Sequence, residues 1–213
     1  MTGDPTRADV ARTYDRIASA FAAKRENPWP EVVDFLADRT ATRALDIGCA
    51  NGRHTERLAD VADRVLGLDA SRELLREAVD RKREHEFGAD FVVGDASALP
   101  LREDAVDLAL YVATLHHLPD RATRVASLDE MARVLAPDAP GLVSVWSTSH
   151  DRFEAAEGFD TTVTFTLPDG TAVPRYYHIY DPTEFADDLA ASALRVDRIW
   201  TSHGNEYAVV AGD

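Results

Sequence analysis

Three aspartates in the first half of the chain each follow a short apolar run. They are Asp46 in LDIGCANG, Asp69 in GLDAS and Asp95 in VVGDASALP. A carboxylate at the end of a strand can accept the hydroxyl groups of a ribose, and parallel strands bring such ends together at one edge of a sheet. The pattern therefore predicts a nucleotide-type binding site, with the three acids at the carboxyl ends of successive strands.

The loop around the first of these acids distinguishes two classes of ligand. Its pattern is D-x-G-x-x-x-G, in which Gly48 and Gly52 permit a tight turn and a close approach of the backbone to a ligand. A dinucleotide site holds a pyrophosphate, which a neighbouring carboxylate would repel. Asp46 would instead attract the sulfonium and ammonium groups of S-adenosylmethionine, so the loop favours that cofactor. The alternative role for Asp46 is a structural cap at the end of its strand.

A second group of reactive side chains lies in PRYYHIYD, residues 174–181. The segment gathers an arginine, three tyrosines and a histidine in a chain whose formal charge is -15. Cationic and aromatic groups together can bind an anion and stack an unpaired base. Because side chains alternate along a strand, either Tyr177 with Ile179 or Tyr176 with His178 is expected to face the core.

The elements that must position these residues are strands and helices in alternation. Apolar runs predict strands at 43–48, 64–69, 90–95, 106–113 and 141–147, a hairpin of 161–167 with 171–177, and a closing antiparallel pair of 194–201 with 205–211. Helical periodicity and caps predict helices at 8–23, 31–38, 53–59, 72–85 and 121–135. A further helix is predicted after Asp181, which is expected to form a capping box with Glu184.

This alternation predicts an α/β fold with a doubly wound, Rossmann-like sheet. We expect seven strands, mostly parallel, with an antiparallel last strand and a hairpin-like insertion after strand five. The chain is expected to be a single domain over 1–213, because 213 residues with 45% hydrophobic content can bury one core. Within it, 1–40 would form an N-terminal helical cap and 148–180 a substrate-side insertion.

The order of the motifs resembles that of class I S-adenosylmethionine-dependent methyltransferases. The resemblance rests on D-x-G-x-x-x-G, GLDAS, GDASALP and LALYVATLHHLPD, and it covers residues 8–147 and the final strand pair. It implies that Asp46 lies near the methionine end of the cofactor, that Asp69 binds the ribose, and that Asp95 with Ala96 faces the adenine. The cofactor-binding residues that it implies are Tyr14, Asp46, Gly48, Cys49, Gly52, Asp69, Ala70, Asp95 and Ala96.

Some of these assignments have structural alternatives. Tyr14 matches the aromatic residue that many such enzymes lay over the cofactor from the N-terminal helix, and it could equally be a core residue. Cys49 is expected to be a small packing residue rather than a nucleophile. Ala50 stands where the common pattern has a glycine, which is a small departure from the family.

Three further segments narrow the substrate. R-x-x-P-W-P at 25–30, the paired histidines after the fourth strand and R-Y-Y-H at 175–178 together resemble the enzymes that methylate the carboxylate of 5-carboxymethyluridine at the wobble position of tRNA. The resemblance implies catalytic roles for Arg25, His116, His117, Arg175, Tyr176 and His178, and substrate contacts for Trp29 and Tyr177. One of the two adjacent histidines is expected to be structural, and a surface salt bridge is the alternative role of Arg175.

The chemistry of such a substrate requires no general base. Its carboxylate has a pKa of about 4.3, like that of Glu, and is already ionised at pH 7. The oxygen attacks the sulfonium methyl in line, so the enzyme must desolvate, position and orient the reactants. A cation bound tightly to the attacking oxygen would lower the nucleophilicity of that oxygen. Arg25 or Arg175 is therefore expected to hold the other oxygen or a phosphate.

Two other functions stay open on sequence grounds. A small-molecule methyltransferase, acting on a quinone, lipid or metabolite acid, shares every cofactor motif and would make the three special segments a coincidence. A cofactor-binding scaffold without catalysis is the third hypothesis. The presence of all three acids, Asp46, Asp69 and Asp95, argues against it.

Composition limits the compartment and the partners. The chain has 38 acidic and 23 basic residues, and its only lysines are Lys24 and Lys82. Such a surface stays hydrated in high salt, so we expect a halophilic cytoplasm, with an ordinary acidic protein as the alternative. The lone Cys49 fits a reducing cytoplasm, and no stretch approaches the roughly 20 apolar residues of a membrane span. The acidity means that tRNA must bind at a local patch.

The resemblance also implies a protein partner. It is a small zinc-binding activator subunit that extends the sheet beside the third strand and gives a heterodimer. Phe91, Val92 and Val93 would form an apolar edge there, which is a hazard unless something covers it. A loop or helix of the same chain is the alternative cover. No Cys/His cluster in the sequence predicts a metal site of its own.

Overall fold

The fold is built on β-strands and α-helices in near-strict alternation. The computed structural model describes residues 5–212. The strands are β1 (Ala41–Ile47), β2 (Ala62–Asp69), β3 (Asp90–Val93), β4 (Leu108–Val112), β5 (Pro140–Trp146), β6 (Phe159–Thr166), β7 (Ala172–Ile179), β8 (Arg195–Ser202) and β9 (Asn205–Ala211). The α-helices are α1 (Arg7–Ala22), α2 (Pro30–Leu36), α3 (Arg53–Ala59), α4 (Arg72–His85), α5 (Arg121–Val134) and α6 (Pro182–Ala190).

Seven strands form one sheet in the order β3-β2-β1-β4-β5-β9-β8. The first five pair in parallel, and β9 runs antiparallel to both β5 and β8. The chain moves outward from β1 to β3 and then returns to place β4 on the other side of β1. This architecture confirms the predicted α/β class, the seven strands and the antiparallel last strand.

The sheet is covered on both faces, because successive residues of its central strands point in opposite directions. In β1, Leu45 and Ile47 pack into a cluster with residues of α5 and α6, while Ala44 packs into a second cluster with residues of α2 and α3. The same alternation separates Tyr111 from Leu110 in β4. The strands therefore read as continuous apolar runs, as strands buried on both faces do.

Polar side chains begin several helices. Thr6 caps α1 in a capping box with Asp9, Ser71 caps α4, and Asp120 caps α5. Each side chain accepts a backbone N–H of the first turn, which satisfies a donor that has no partner inside the helix.

Within the described residues, no helix combines the length and apolarity needed to cross a lipid bilayer.

The capping box predicted for α6 forms only in part. The carboxylate of Asp181 accepts the backbone N–H groups of Thr183 and Glu184, as expected for a cap. The Glu184 carboxylate instead accepts from Nε2 of His178 (2.9 Å). The reciprocal half of the predicted box is therefore wrong, because a buried histidine draws that carboxylate away from the start of the helix.

The hairpin of β6 and β7 forms its own two-stranded sheet beside α1. Phe165 and Val173 on its inner face pack against Ile17 and Phe21 of α1. This hairpin is the insertion predicted after strand five. Of the predicted N-terminal cap and single domain, residues 1–4 and 213 lie outside the described residues.

A close contact of strands sets the position of β3 against β2. A Cβ atom on Gly67 of β2 would lie 2.7 Å from the ring of Phe91 in β3 and 3.0 Å from Sγ of Cys49. The aromatic ring therefore fills the space that a side chain at Gly67 would need. This contact supports the register that pairs Asp69 with Val93 at the open edge of the sheet.

We predict that Gly67→Ala lowers the free energy of unfolding by about 1–3 kcal/mol, because the added methyl overpacks the contact with Phe91. Urea denaturation followed by circular dichroism measures it. Gly88→Ala is the matched control: a Cβ atom there meets nothing within 4 Å, so its effect should stay below about 0.5 kcal/mol. Equal effects of the two substitutions would contradict the steric explanation.

Candidate active site

A cavity of about 720 Å³ opens at the carboxyl ends of the parallel strands. Acidic residues reach its wall from β2 and β3, and cationic residues reach it from the segment after α1 and from the start of α3. The predicted site residues on this wall are Tyr14, Arg25, Trp29, Gly48, Cys49, Asp69, Ala70, Asp95, Ala96, His116, His117 and Tyr177. The predicted site residues outside it are Asp46, Gly52, Arg175, Tyr176 and His178.

The loop after β1 forms the floor of the cavity. Gly48 has a φ of 72°, and a side chain there would collide with Thr114 at the end of β4. The backbone N–H groups of Gly48 and Cys49 both donate to the carbonyl of Leu68 (2.7 and 3.0 Å). Gly52, with a φ of 77°, turns the chain into α3 without reaching the wall. The two glycines thus hold the loop in a conformation that L side chains rarely adopt.

The thiol of Cys49 is buried on this wall. Burial raises the pKa of the Cys49 thiol well above its usual value, so the group stays protonated near neutral pH. A protonated buried thiol is a poor nucleophile. This environment suits the packing role expected for Cys49.

Asp69 ends β2 with both carboxylate oxygens directed at backbone donors. Oδ2 accepts the N–H of Ala50 (2.9 Å) and Oδ1 accepts the N–H of Ser71 (2.8 Å). Each oxygen keeps lone pairs for further donors. Burial raises the pKa of Asp69 to about 6, and the backbone donors oppose that shift. The group is an acceptor that loses its charge under mildly acidic conditions.

Asp95 follows β3 and already has a cationic partner. Its Oδ2 accepts from Nη1 of Arg7 in α1 (2.6 Å), and its Oδ1 accepts from the backbone and side chain of Ser97. Ala96 beside it is buried and lies on the wall. The ion pair fastens the start of α1 across this part of the cavity.

Asp46 lies beneath the loop rather than on the cavity wall. It is 2% exposed, and its Oδ2 accepts the hydroxyl proton of Thr55 in α3 (2.6 Å). Burial raises the pKa of Asp46 to about 7, and the nearby Asp69 charge adds to the rise. In this structure the carboxylate joins the loop to α3, as the alternative of a structural cap anticipates.

The residues of this cavity fit S-adenosylmethionine. Asp69 offers acceptors for ribose hydroxyls at the end of β2, and Gly48 lets the backbone approach the ligand. Asn51 adds a second acceptor: its Oδ1 is buried, has no hydrogen-bond partner among the described residues, and belongs to a side chain on the wall. An unpartnered buried carbonyl oxygen suits a donor such as an ammonium group.

The two adjacent histidines make different contacts. His116 is 1% exposed, and its Nδ1 accepts the backbone N–H of Trp146 (3.0 Å). His117 donates from Nδ1 to the carbonyl of Tyr176 (3.0 Å), so its Nε2 accepts from the hydroxyl of Tyr14 (2.9 Å). Burial lowers the pKa of His117 to about 3 and that of His116 well below its usual value. Both rings are therefore neutral at pH 7.

Arg175 is buried behind the wall. It is 5% exposed on the inner face of β7, and its guanidinium lies 5.5 Å from the centre of the Phe165 ring and 5.1 Å from that of Tyr177. Its Nη1 donates to the hydroxyls of Tyr177 (2.7 Å) and, more weakly, Tyr14 (3.5 Å). Among the described residues it forms no ion pair, so the alternative of a surface salt bridge is wrong.

Tyr176 and His178 lie on the other face of β7, because side chains alternate along a strand. The hydroxyl of Tyr176 donates to the carbonyl of Pro119 (2.9 Å) and to Asp160 (2.8 Å). His178 bridges the carboxylates of Asp160 and Glu184 (2.7 and 2.9 Å). The structure does not bring these two side chains to the cavity with Tyr177, and it assigns them contacts that hold the hairpin to its neighbours.

Sequence reasoning missed several wall residues. They are Arg7, Lys24, Asn51, Arg53, His54, Thr114 and Trp146. Arg53 had a usable signal, because it directly follows the second loop glycine and so had to begin the helix beside the ligand. Arg7 had none, since its contact with Asp95 joins residues 88 positions apart. Among residues 5–212, no three His, Cys, Asp or Glu side chains are grouped to hold a metal ion.

Sequence comparison identifies relatives of the chain. A family model described as "Methyltransferase domain" matches residues 44–138. A protein of Encephalitozoon cuniculi assigned to the methyltransferases is 32% identical over 206 residues, which cover 92% of this chain and 90% of that protein. The mouse tRNA (carboxymethyluridine(34)-5-O)-methyltransferase ALKBH8 is 36% identical over 143 residues. That match covers 67% of this chain and 20% of the mouse protein, so the chain spans about a fifth of its length.

Comparison with solved structures agrees with the topology. A chain in the complex of the Haloferax volcanii Trm112 methyltransferase activator with a methyltransferase superposes with a TM-score of 0.69. The alignment covers 95% of this chain and 97% of that chain at 17% identity. At this identity the likeness shows the shared fold alone.

We predict that the affinity for S-adenosylhomocysteine falls about tenfold between pH 7.5 and pH 5, as titration calorimetry would measure. The carboxylate of Asp69, with its pKa raised to about 6, keeps its charge above that pH and loses it below, and with it an acceptor for the ribose. Asp69→Asn should weaken binding at pH 7.5 by about ten- to a hundredfold and flatten this dependence. Asp34→Asn, at an exposed position of α2, is the control. An unchanged pH profile in Asp69→Asn would contradict the assignment.

The topology, the cavity and the comparisons agree on one family. The relative that matches 92% of this chain extends well beyond residues 44–138 of the family model. The chain therefore belongs to the methyltransferase family, and the family and fold imply S-adenosylmethionine as its cofactor.

Proposed function

We propose that the protein methylates the carboxylate of 5-carboxymethyluridine at the wobble position of tRNA. The observation that carries the proposal is a group of cations on the cavity wall or directly behind it that have no carboxylate partner among residues 5–212, in a chain of formal charge -15. We call it the cation group; its members are Lys24, Arg25, Arg53 and Arg175. The activity named for the mouse relative supports the same substrate.

Two members of the cation group stand on the wall close enough to repel each other. The guanidinium of Arg25 lies 3.5 Å from the centre of the Phe21 ring, and burial lowers the pKa of Arg25. Burial also lowers the pKa of Arg53 to about 10, and the charge of Arg25 adds to that shift. Both remain protonated at pH 7. Within the described chain, the guanidinium of Arg53 has a single weak hydrogen bond, to the carbonyl of Asn27 at 3.3 Å.

An anionic substrate would reduce the repulsion between these two guanidinium groups. Like charges held in a partly dry site oppose folding, and an unpaired buried charge is costly to keep. A carboxylate or a phosphate between the guanidinium groups would supply the missing partner, and Arg can bind either with two parallel hydrogen bonds. The wall thus favours an anionic substrate over a neutral one.

The aromatic residues beside the cation group suit an unpaired base. Trp29 is half-buried on the wall, with the guanidinium of Arg53 5.3 Å from its ring centre. Trp146 is half-buried on the same wall. Stacking of one base on such a ring contributes about 1–3 kcal/mol to binding. The ring of Tyr177 is already stacked on His116 and Trp146, so Trp29 is the better platform of the two predicted aromatic contacts.

Methyl transfer to a carboxylate requires no proton transfer by this chain. When bound, S-adenosylmethionine supplies an electrophilic methyl group. The substrate oxygen is already ionised, so no side chain has to remove a proton. The neutral rings of His116 and His117 add no positive charge that would weaken the attacking oxygen. The residues of the wall therefore act by binding and orienting the two reactants and by excluding water.

The decisive experiment offers tritiated S-adenosylmethionine and tRNA that bears 5-carboxymethyluridine, with the same tRNA lacking the carboxymethyl group as the control. We expect label in the first RNA alone, released by mild alkali as an ester would be. The assay is run with and without a candidate activator subunit. Label in the control RNA, or in neither RNA under both conditions, would refute the proposed function.

We predict that Arg25→Gln lowers kcat/KM for carboxymethylated tRNA by about ten- to a hundredfold, because it removes a charged partner of the substrate anion. The dissociation constant of S-adenosylhomocysteine should change by less than about threefold. Arg64→Gln, at an exposed position of β2 remote from the cavity, is the matched control. Equal losses in kcat/KM and in cofactor affinity would contradict this role and indicate that Arg25 binds the cofactor instead of the substrate.

The edge of the sheet supports the proposed zinc-binding activator as a partner. In residues 5–212, β3 pairs with β2 alone and leaves its other side open. Val93 is 43% exposed there, while Phe91 and Val92 are half-buried against the core. An apolar edge with unpaired backbone groups readily accepts a strand from another chain. The structural relative found in a complex with the Trm112 methyltransferase activator is consistent with this arrangement.

We predict that the activator slows amide hydrogen exchange in 90–93, because its strand would pair with those backbone groups. Strand β8 provides an internal control, since it forms the opposite edge of the same sheet. Exchange in 195–202 should not change. Mass spectrometry of the protein with and without the purified subunit measures both. Protection at β8 alone, or at neither edge, would contradict an interface at β3.

A further inference from the structure

Arg175 carries a full charge in a place where it does not reach the cavity wall. It is 5% exposed, its Nε has no partner among the described residues, and its Nη1 contacts two tyrosine hydroxyls. Both tyrosines, Tyr14 and Tyr177, do lie on the wall. The hydrogen bonds through which Arg175 can act on a ligand are therefore those to the two hydroxyls.

The direction of each hydroxyl proton follows from what its neighbours can accept. A guanidinium only donates, so the oxygens of Tyr14 and Tyr177 must both accept from Arg175. The carbonyl of Tyr176 only accepts, so the proton of His117 sits on Nδ1 and Nε2 is left to accept. The hydroxyl of Tyr14 lies 2.9 Å from that Nε2 and donates its proton to it.

Among residues 5–212, the proton of Tyr177 has only a weak acceptor. That acceptor is the oxygen of Tyr14, which lies 3.4 Å away, beyond the usual length of an O–H···O hydrogen bond. The ring of Tyr177 is fixed by stacking on Trp146 (4.8 Å) and His116 (5.1 Å), so its hydroxyl cannot turn far. The oxygen is also polarised by the short bond from Arg175 (2.7 Å), which makes its proton a stronger donor.

We propose that Arg175 is a positioning residue that acts through these hydroxyls: it commits the proton of Tyr14 to His117 and directs the O–H of Tyr177 at the oxyanion of the substrate. The inference rests on the proposed function, which supplies that oxyanion. A hydroxyl group can donate a hydrogen bond to one oxygen of the carboxylate. Because the hydroxyl is neutral, it places no full positive charge next to the other oxygen, which attacks the methyl group. The cation thus helps to bind the substrate without quenching the attacking oxygen.

A double-mutant cycle tests this arrangement on the full-length protein with carboxymethylated tRNA. Tyr177→Phe keeps the stacked ring and should lower kcat/KM by about ten- to a hundredfold, the value of one hydrogen bond to a charged group. Arg175→Met should lower it to a similar extent. In the Tyr177→Phe background, Arg175→Met should cost less than about threefold more, because both changes remove the same interaction. Losses that multiply would overturn the proposal, since Arg175 would then act independently of Tyr177.

Two controls separate positioning from a structural role. Arg175→Met removes a buried charge that has no anionic partner, so the midpoint of thermal unfolding should not fall. The affinity for S-adenosylhomocysteine should stay within about twofold. Arg175→Lys retains a donor and should recover part of the activity lost in Arg175→Met. A large drop in the unfolding midpoint with no recovery by Lys would overturn the proposal in favour of a structural arginine.

The outcome also distinguishes this inference from the function beneath it. If the wild-type protein transfers no methyl group to carboxymethylated tRNA, the proposed function fails and the oxyanion is lost with it. If the wild-type protein is active and the two losses multiply, the function stands and only the role of Arg175 is refuted.

Discussion

The reversal of strand order at β1, from which the sheet grows first toward β3 and then toward β4, is the constraint on which the site depends. β1 is flanked by β2 on one side and β4 on the other, and all of them run the same way. The loops that leave their carboxyl ends must therefore diverge, and the gap between them becomes the cavity. Gly48 lies in that gap against Thr114 of the neighbouring strand end, which leaves no room for a side chain.

The distribution of charge is the second organising feature. The chain is strongly acidic, yet in the described part of it the cation group has no carboxylate partner, while other arginines, such as Arg43 with Asp107, are paired. Aromatic rings rather than acids lie against these cations: Phe21 beside Arg25, and Phe165 with Tyr177 beside Arg175. A quadrupole attracts a cation without neutralising it, so the positive potential remains available to a ligand.

The sequence predicted the sheet well and the site unevenly, for physical reasons. Buried parallel strands are continuous apolar runs, so β1 to β5 were visible from local pattern alone. Asp69 was also local, since it ends such a strand. The placement of Arg175, Tyr176 and His178 depends on which face of β7 meets α1, and alternation gives two answers until the hairpin is packed. The contacts of Arg7 and Glu184 are tertiary, so no local pattern marks them.

Helix α1 contacts the cavity at widely separated points. Arg7 in its first turn pairs with Asp95, Tyr14 in its middle bonds to His117, and Asp15 accepts from Ser71 at the start of α4. The same helix therefore borders Asp95 on one part of the cavity wall and the hydroxyls of Tyr14 and Tyr177 on another. A ligand that fixes α1 from one side removes part of the ordering cost for a ligand on the other. Such cooperativity must be equal in both directions, so two ligands that contact α1 from different sides should each tighten the binding of the other by the same factor.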